Sequence, residues 1–164
     1  MKAYWSPIAA LAALTLAGCG QNTATASGGT TPAAAPPGPR EIDITAGDNM
    51  KYSITAIEAK PGEDLKVVLQ NVGAAPKEVM AHNWVLLKAG SDAAGFDSAA
   101  ITAKETGYIP ARLQDEMIAH IDLQGPKESG EVEFKAPTVP GDYPFLCTFP
   151  AHYQVGMRGT LTVK

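Results

Sequence analysis

From Ile42 onward, apolar residues recur at every second position over short stretches, the period expected of half-buried β-strands. Ile42 and Ile44 alternate with polar neighbours, and Met50, Tyr52 and Ile54 continue the pattern. Pro61-Gly62-Glu63-Asp64 carries turn chemistry, and the branched run Leu65 to Val72 after it reads as a strand closed by Asn71-Val72-Gly73. His82–Leu87, Ile118–Leu123, Glu131–Phe134, Tyr143–Cys147 and Gly159–Val163 read as further strands, punctuated by Gly125-Pro126, Ser129-Gly130 and Gly141-Asp142. About eight short strands at regular intervals predict an all-β, antiparallel sandwich or barrel. The rhythm breaks between Ser91 and Met117, where Ala-rich pieces mix with Gly95, Gly107 and Pro110. This stretch is expected to be an insertion lying against the sandwich, with one short helix around Phe96 to Lys104. No internal repeat and no second folded domain is visible.

The N-terminal part follows other rules. Lys2 supplies a positive charge, and Ile8 to Ala17 is a short apolar run ending at Gly18-Cys19. About ten apolar residues cannot span a hydrocarbon core of ~30 Å as a helix, so an export signal fits better than a membrane span. Leu16-Ala17-Gly18-Cys19 resembles the lipobox of bacterial lipoproteins, in which cleavage before the Cys makes it the lipidated N-terminus. Gln21 to Arg40 is Thr, Ala, Ser, Gly and Pro almost throughout. Such a segment cannot bury enough apolar surface to offset its ordering entropy, and its prolines keep it extended. The expected organisation is a signal peptide over 1–18, a lipidated Cys19 with a flexible linker to 40, and one domain over 41–164. The chain would then be exported and held at a membrane by its lipid, in the periplasm or another extracytoplasmic space.

Charge and cysteine content narrow the possibilities. Without Lys2, 12 basic side chains face 17 acidic ones, a net of about −5. That balance excludes the basic footprint of a nucleic-acid binder. The chain has 2 Cys. With Cys19 lipidated, Cys147 has no internal disulfide partner, and an odd thiol in an exported protein calls for a metal, a reactive role or an intermolecular bridge.

The chemistry concentrates near the C-terminus. In Cys147-Thr148-Phe149-Pro150-Ala151-His152-Tyr153-Gln154-Val155-Gly156-Met157, a thiol, an imidazole and a thioether share one loop between two predicted strands. A second imidazole, His82, opens a strand far upstream. Two His, one Cys and a weak axial Met are the donor set of a blue-copper electron-transfer site. Thiolate and thioether suit Cu(I), and imidazole suits both oxidation states, so little needs to move when an electron does. Zinc also occupies mixed Cys/His sites, but a thioether is a poor fourth ligand for it. Alone, each residue means little: free Cys usually behaves as a small buried hydrophobe, and single His and Met residues are usually structural.

The segments Met80-Ala81-His82-Asn83-Trp84-Val85-Leu86 and Cys147 to His152, with the ending Met157 to Lys164, resemble azurin and auracyanin, bacterial blue-copper cupredoxins. Ile118-Ala119-His120 and Glu131-Val132-Glu133-Phe134 are similar too. The resemblance implies a Greek-key β-sandwich that carries single electrons on one type 1 copper held by His82, Cys147, His152 and Met157. It also implies that Asn83 bonds across to Thr148, and that the N–H groups of Asn83 and Phe149 point at the Cys147 sulfur. Met80, Pro150, Ala151, Tyr153 and Val155 would form an apolar docking rim, with Phe149 helping to keep the metal dry. Two departures stand out. Four residues separate His152 from Met157, as in auracyanin and plastocyanin-type loops, where azurin has three. Ala81 replaces a Gly whose carbonyl approaches the metal in azurin, which leaves a backbone contact there open.

By the same resemblance His120 is a surface residue; Trp84 reads as sandwich core ahead of an electron relay, and Asp115 and Glu116 read as a solvated face of the insertion. The expected partners are redox proteins such as c-type cytochromes or membrane oxidoreductases, and the expected state is a monomer. An enzyme of the nitrite-reductase or multicopper-oxidase kind needs further His ligands, and the chain has 3 His in all. A copper-delivery protein would expose exchangeable Met and His clusters. Electron carriage without substrate turnover is therefore the expectation.

Overall fold

The structure, a computed structural model, describes residues 38–164. The signal segment, the lipidation site Cys19 and all but the end of the linker lie outside the described residues. In chain order come β1 (Arg40–Ala46), β2 (Ala56–Ala59), β3 (Asp64–Asn71), α1 (Lys77–Met80), β4 (His82–Leu87), α2 (Ala93–Ala100), β5 (Met117–Gln124), β6 (Ser129–Lys135), β7 (Gly141–Leu146) and β8 (Arg158–Val163). Two short 3-10 segments, Lys104–Thr106 and Ala111–Glu116, complete the insertion. Among the described residues no helix is long and apolar enough to cross a membrane.

Eight strands form two sheets, ordered β1-β3-β6 and β2-β8-β7-β4-β5. The period of two places Leu65, Val67 and Leu69 of β3 inward. They meet Trp84 and Leu86 of β4, Phe145 of β7, and Leu161 and Val163 of β8 in one core. Full burial of each such aliphatic side chain contributes ~1.5–3 kcal/mol. Trp84 lies between Phe134 and Phe145, with ring centroids 6.0 and 5.5 Å away, and so joins the two sheets.

All six residues of β4 are buried. A strand with water on one face would alternate, so both faces of β4 are covered. Trp84 and Leu86 face the main core, while Val85 and Leu87 pack with Phe96, Ile109 and Leu146 under the insertion. The inserted segment is thus the outer cover of the strand that carries His82.

The expected pattern needs four corrections. β1 and β3 run parallel, as do β2 and β8, so the sandwich is mixed and not wholly antiparallel. The alternation through Met50, Tyr52 and Ile54 is not a strand. Met50 has φ 54°, Tyr52 forms only an isolated bridge to Ala46, and the next strand starts at Ala56. A period of two cannot see a chain reversal when the turn happens to preserve it. The helix lies at Ala93–Ala100, earlier than expected, because the Asp92 carboxylate accepts the Gly95 N–H at 3.0 Å and caps it there. α1 is a single turn after Pro76 that carries no hydrophobic period to read. β1 itself begins at Arg40, whose Nε donates to Glu63 Oε1 at 2.6 Å.

Candidate metal centre

Two local features aim the ligands. Between His82 and Trp84 the pairing to β5 slips, from Gln124 opposite His82 to Ile121 opposite Trp84. Such a bulge re-aims side chains at a sheet end. Cys147 directly follows β7, and Met157 directly precedes β8, which pairs with β7. The Cys147 N–H donates to the Met157 carbonyl at 3.1 Å, and the Met157 N–H to the His152 carbonyl at 2.9 Å. The three loop ligands are therefore fastened to one another through their backbones.

The side chains of His82, Cys147 and His152 converge, with one ligand atom from each within 4.8 Å of the others, and all three are buried. The two Nδ1 atoms are 3.2 Å apart, and the Cys147 sulfur is 3.4 Å from His152 Nδ1. Met157 is fully buried beside them in sequence and backbone bonding. Burial pushes the Cys147 thiol up to about 12. Burial, and secondarily the neighbouring His82, lower His152 to about 4. His82 is lowered by burial too, against the opposing pull of the Gly47 carbonyl and Asp48, and its Nε2 lacks a well-formed hydrogen bond.

This donor set suits a cation. At neutral pH both imidazoles are uncharged with lone pairs free, and only the thiol must lose a proton to become a ligand. No carboxylate enters the cluster, which disfavours calcium or magnesium. Thiolate, imidazole and thioether together are the ligands that copper takes.

The surrounding contacts expected from the resemblance are present. Asn83 Nδ2 donates to Thr148 Oγ1 at 2.7 Å, and its Oδ1 accepts the Thr148 N–H at 2.8 Å. The N–H groups of Asn83 and Phe149 bond to the Cys147 sulfur and favour its thiolate. Ala81 is fully buried with φ −84° and ψ 157°, an extended conformation open to any residue. On the rim Ala151 and Val155 are exposed and Met80 and Pro150 half-buried. Tyr153 is half-buried as well and packs against the cluster under α2, with Arg158 stacked 4.7 Å from its ring. Val79, 61% exposed on α1, is a further apolar surface residue beside Met80. His120 is exposed, 3.5 Å from Asp122, and Asp115 is exposed with Glu116 half-exposed.

Sequence reasoning missed Tyr52. Its hydroxyl donates to the Asn83 carbonyl at 2.5 Å, and it stands beside the Cys147 sulfur. Burial, then the negative thiolate, drive the Tyr52 phenol well above its usual value. Alternation marks Tyr52 only as inward-facing, and no motif ties it to the site. Lys51, its neighbour, donates to the Val155 carbonyl and so fastens the ligand loop.

A two-sheet sandwich with a buried Cys/His/His cluster, and a Met on the same loop, defines a cupredoxin-type copper protein. The chain matches the copper binding proteins of the plastocyanin/azurin family over residues 40–164, and it belongs to that family. It is 34% identical to azurin of Pseudomonas fluorescens over 130 residues, covering 76% of this chain and 98% of azurin. Auracyanin-B of Chloroflexus aurantiacus is 42% identical over 83 residues, which cover 50% of this chain and 35% of that relative. A crystal structure of reduced auracyanin from Roseiflexus castenholzii superposes with a TM-score of 0.68 at 36% identity, covering 78% of this chain and 99% of that one. A structure of auracyanin A, a "blue" copper protein from Chloroflexus aurantiacus, superposes with a TM-score of 0.68 at 32% identity, covering 77% of this chain and 100% of that one.

Proposed function

We propose that this chain carries single electrons between redox proteins outside the cytoplasmic membrane, using one copper ion held by His82, Cys147, His152 and Met157. The convergence of two imidazoles and one thiol in a buried site, with Met157 fastened to the same loop, carries this reading. Copper supplies a one-electron couple there. The protein supplies a fixed donor set, the N–H groups of Asn83 and Phe149 at the sulfur, and a shell of apolar residues that excludes water. The apolar rim around Ala151 and Val155 suits brief docking of partners such as c-type cytochromes or membrane oxidoreductases. The lipobox-like segment and the Pro-rich linker support an exported monomer tethered by lipid at Cys19, and substrate turnover forms no part of this role. Repeated cycling of the copper-loaded chain with a reductant and a c-type cytochrome tests it. The reading expects fast, reversible one-electron exchange without loss of metal. Metal release on reduction would contradict it.

A further inference from the structure

The ligand loop is held by a second contact that the copper site does not itself require. Gln154, two residues past His152, donates through Nε2 to Asp97 Oδ2 at 2.5 Å. Asp97 lies on α2, next in sequence to Phe96, and is 1% exposed. Its other oxygen, Oδ1, is buried without a hydrogen-bond partner. Among the described residues no Lys, Arg or His forms an ion pair with it.

A buried carboxylate with one neutral donor and no cation is costly, and such groups are usually paired or near a metal. Burial pushes the Asp97 carboxyl up, against the Gln154 bond that favours its charged form, and a cation nearby would stabilise the carboxylate. A Cu(II)–thiolate pair carries one net positive charge, and a Cu(I)–thiolate pair carries none. Asp97 is bonded to Gln154, two residues past the ligand His152, so its charge lies beside the ligand loop. A fixed anion there favours the oxidised centre over the reduced one.

We propose that Asp97 is a positioning and tuning residue for the copper centre: through Gln154 it fastens the inserted helix to the ligand loop, and its buried charge lowers the reduction potential. The inference rests on the copper reading above. Neither part follows from the ligands, because α2 lies in a different segment of the chain from all four.

Asp97→Asn separates the two effects. An Asn side-chain oxygen still accepts from Gln154, so the loop keeps its tie while the charge goes. A unit charge on the order of 10 Å from a redox centre, acting through an effective dielectric constant of ~20, shifts an equilibrium by about tenfold. The test is spectroelectrochemical titration of the copper-loaded full chain at pH 8, wild type against Asp97→Asn. The expected result is a balance moved about tenfold toward the reduced form, ~59 mV upward for a one-electron couple, with unchanged visible and EPR spectra. Should Asp97→Asn not fold, Asp97→Val removes the same charge with an apolar side chain of similar volume, and the same upward shift is expected. A shift smaller than about twofold, or a downward one, in the variant that folds overturns the inference, even if its stability changes. A wild-type chain that takes no copper with a thiolate charge-transfer band fails the copper reading instead, so the two failures are distinguishable.

Discussion

Asn83→Ala tests how the distant β4 strand and the ligand loop are held in one geometry. In the native chain the Asn83 amide both accepts from the Thr148 N–H at 2.8 Å and donates to the Thr148 hydroxyl at 2.7 Å. Both residues are fully buried, so water cannot replace the lost side chain. The substitution leaves two buried polar groups of Thr148 unpartnered, at ~1–3 kcal/mol each. The expected loss is ~2–6 kcal/mol, a large part of the 5–15 kcal/mol typical of a domain. Urea unfolding of the copper-free chain reads it directly. With a slope of ~2 kcal/mol/M the midpoint should fall by roughly 1–3 M. Thr148→Val removes only the hydroxyl, so it should cost less. In the double variant the two losses should fall short of additivity by ~1 kcal/mol or more, as expected for bonded neighbours. A midpoint within ~0.3 M of wild type, or strict additivity, would refute the claim that this amide bridge locks the site.

Other outcomes follow from the same geometry. His152, lowered from 6.5 to about 4 in the fold, leaves the unfolded chain holding more protons across that interval. The copper-free protein should therefore keep full stability above pH ~6.5 and lose ~3 kcal/mol as the pH falls to about 4, in denaturant titrations at stepped pH. Because the Cys147 thiol is still protonated well above neutrality, each copper bound at pH 8 should release about one proton, and affinity should rise about tenfold per pH unit there. Calorimetry in buffers of different ionisation enthalpy measures the proton count, and a count near zero would contradict a thiolate ligand. Tyr52→Phe removes the buried bond to the Asn83 carbonyl and the hydroxyl beside the sulfur. It should cost ~1 kcal/mol in thermal unfolding.

The ligand set was legible because loop spacing places Cys147, His152 and Met157 locally, and the flanks of His82 match a known pattern. The Asn83–Thr148 bridge came from that resemblance and not from spacing. Tyr52 and Asp97 were hidden for a different reason. Each reaches the site through tertiary packing, Tyr52 from a turn that imitates a strand and Asp97 from a helix whose start is set by the Asp92 cap. Period-2 reading found β1 through Ile42 and Ile44, and branched composition found β3. Neither could find which strand edges meet, so the parallel pairs β1/β3 and β2/β8 emerged only in the structure. The stretch His82–Leu87 read as a strand, but its cover on the outer face, α2 with Ile109, comes from a segment with no clear period.

The central claim is that Cys147 holds copper as a thiolate between two imidazoles. Visible absorption and EPR of the purified chain after addition of Cu(II), beside Cys147→Ser, measure it most directly. An intense red-region thiolate-to-copper band that ascorbate bleaches, absent in Cys147→Ser, is the predicted result. A colourless wild-type protein, or a copper signal that survives the loss of the thiol, would contradict the account.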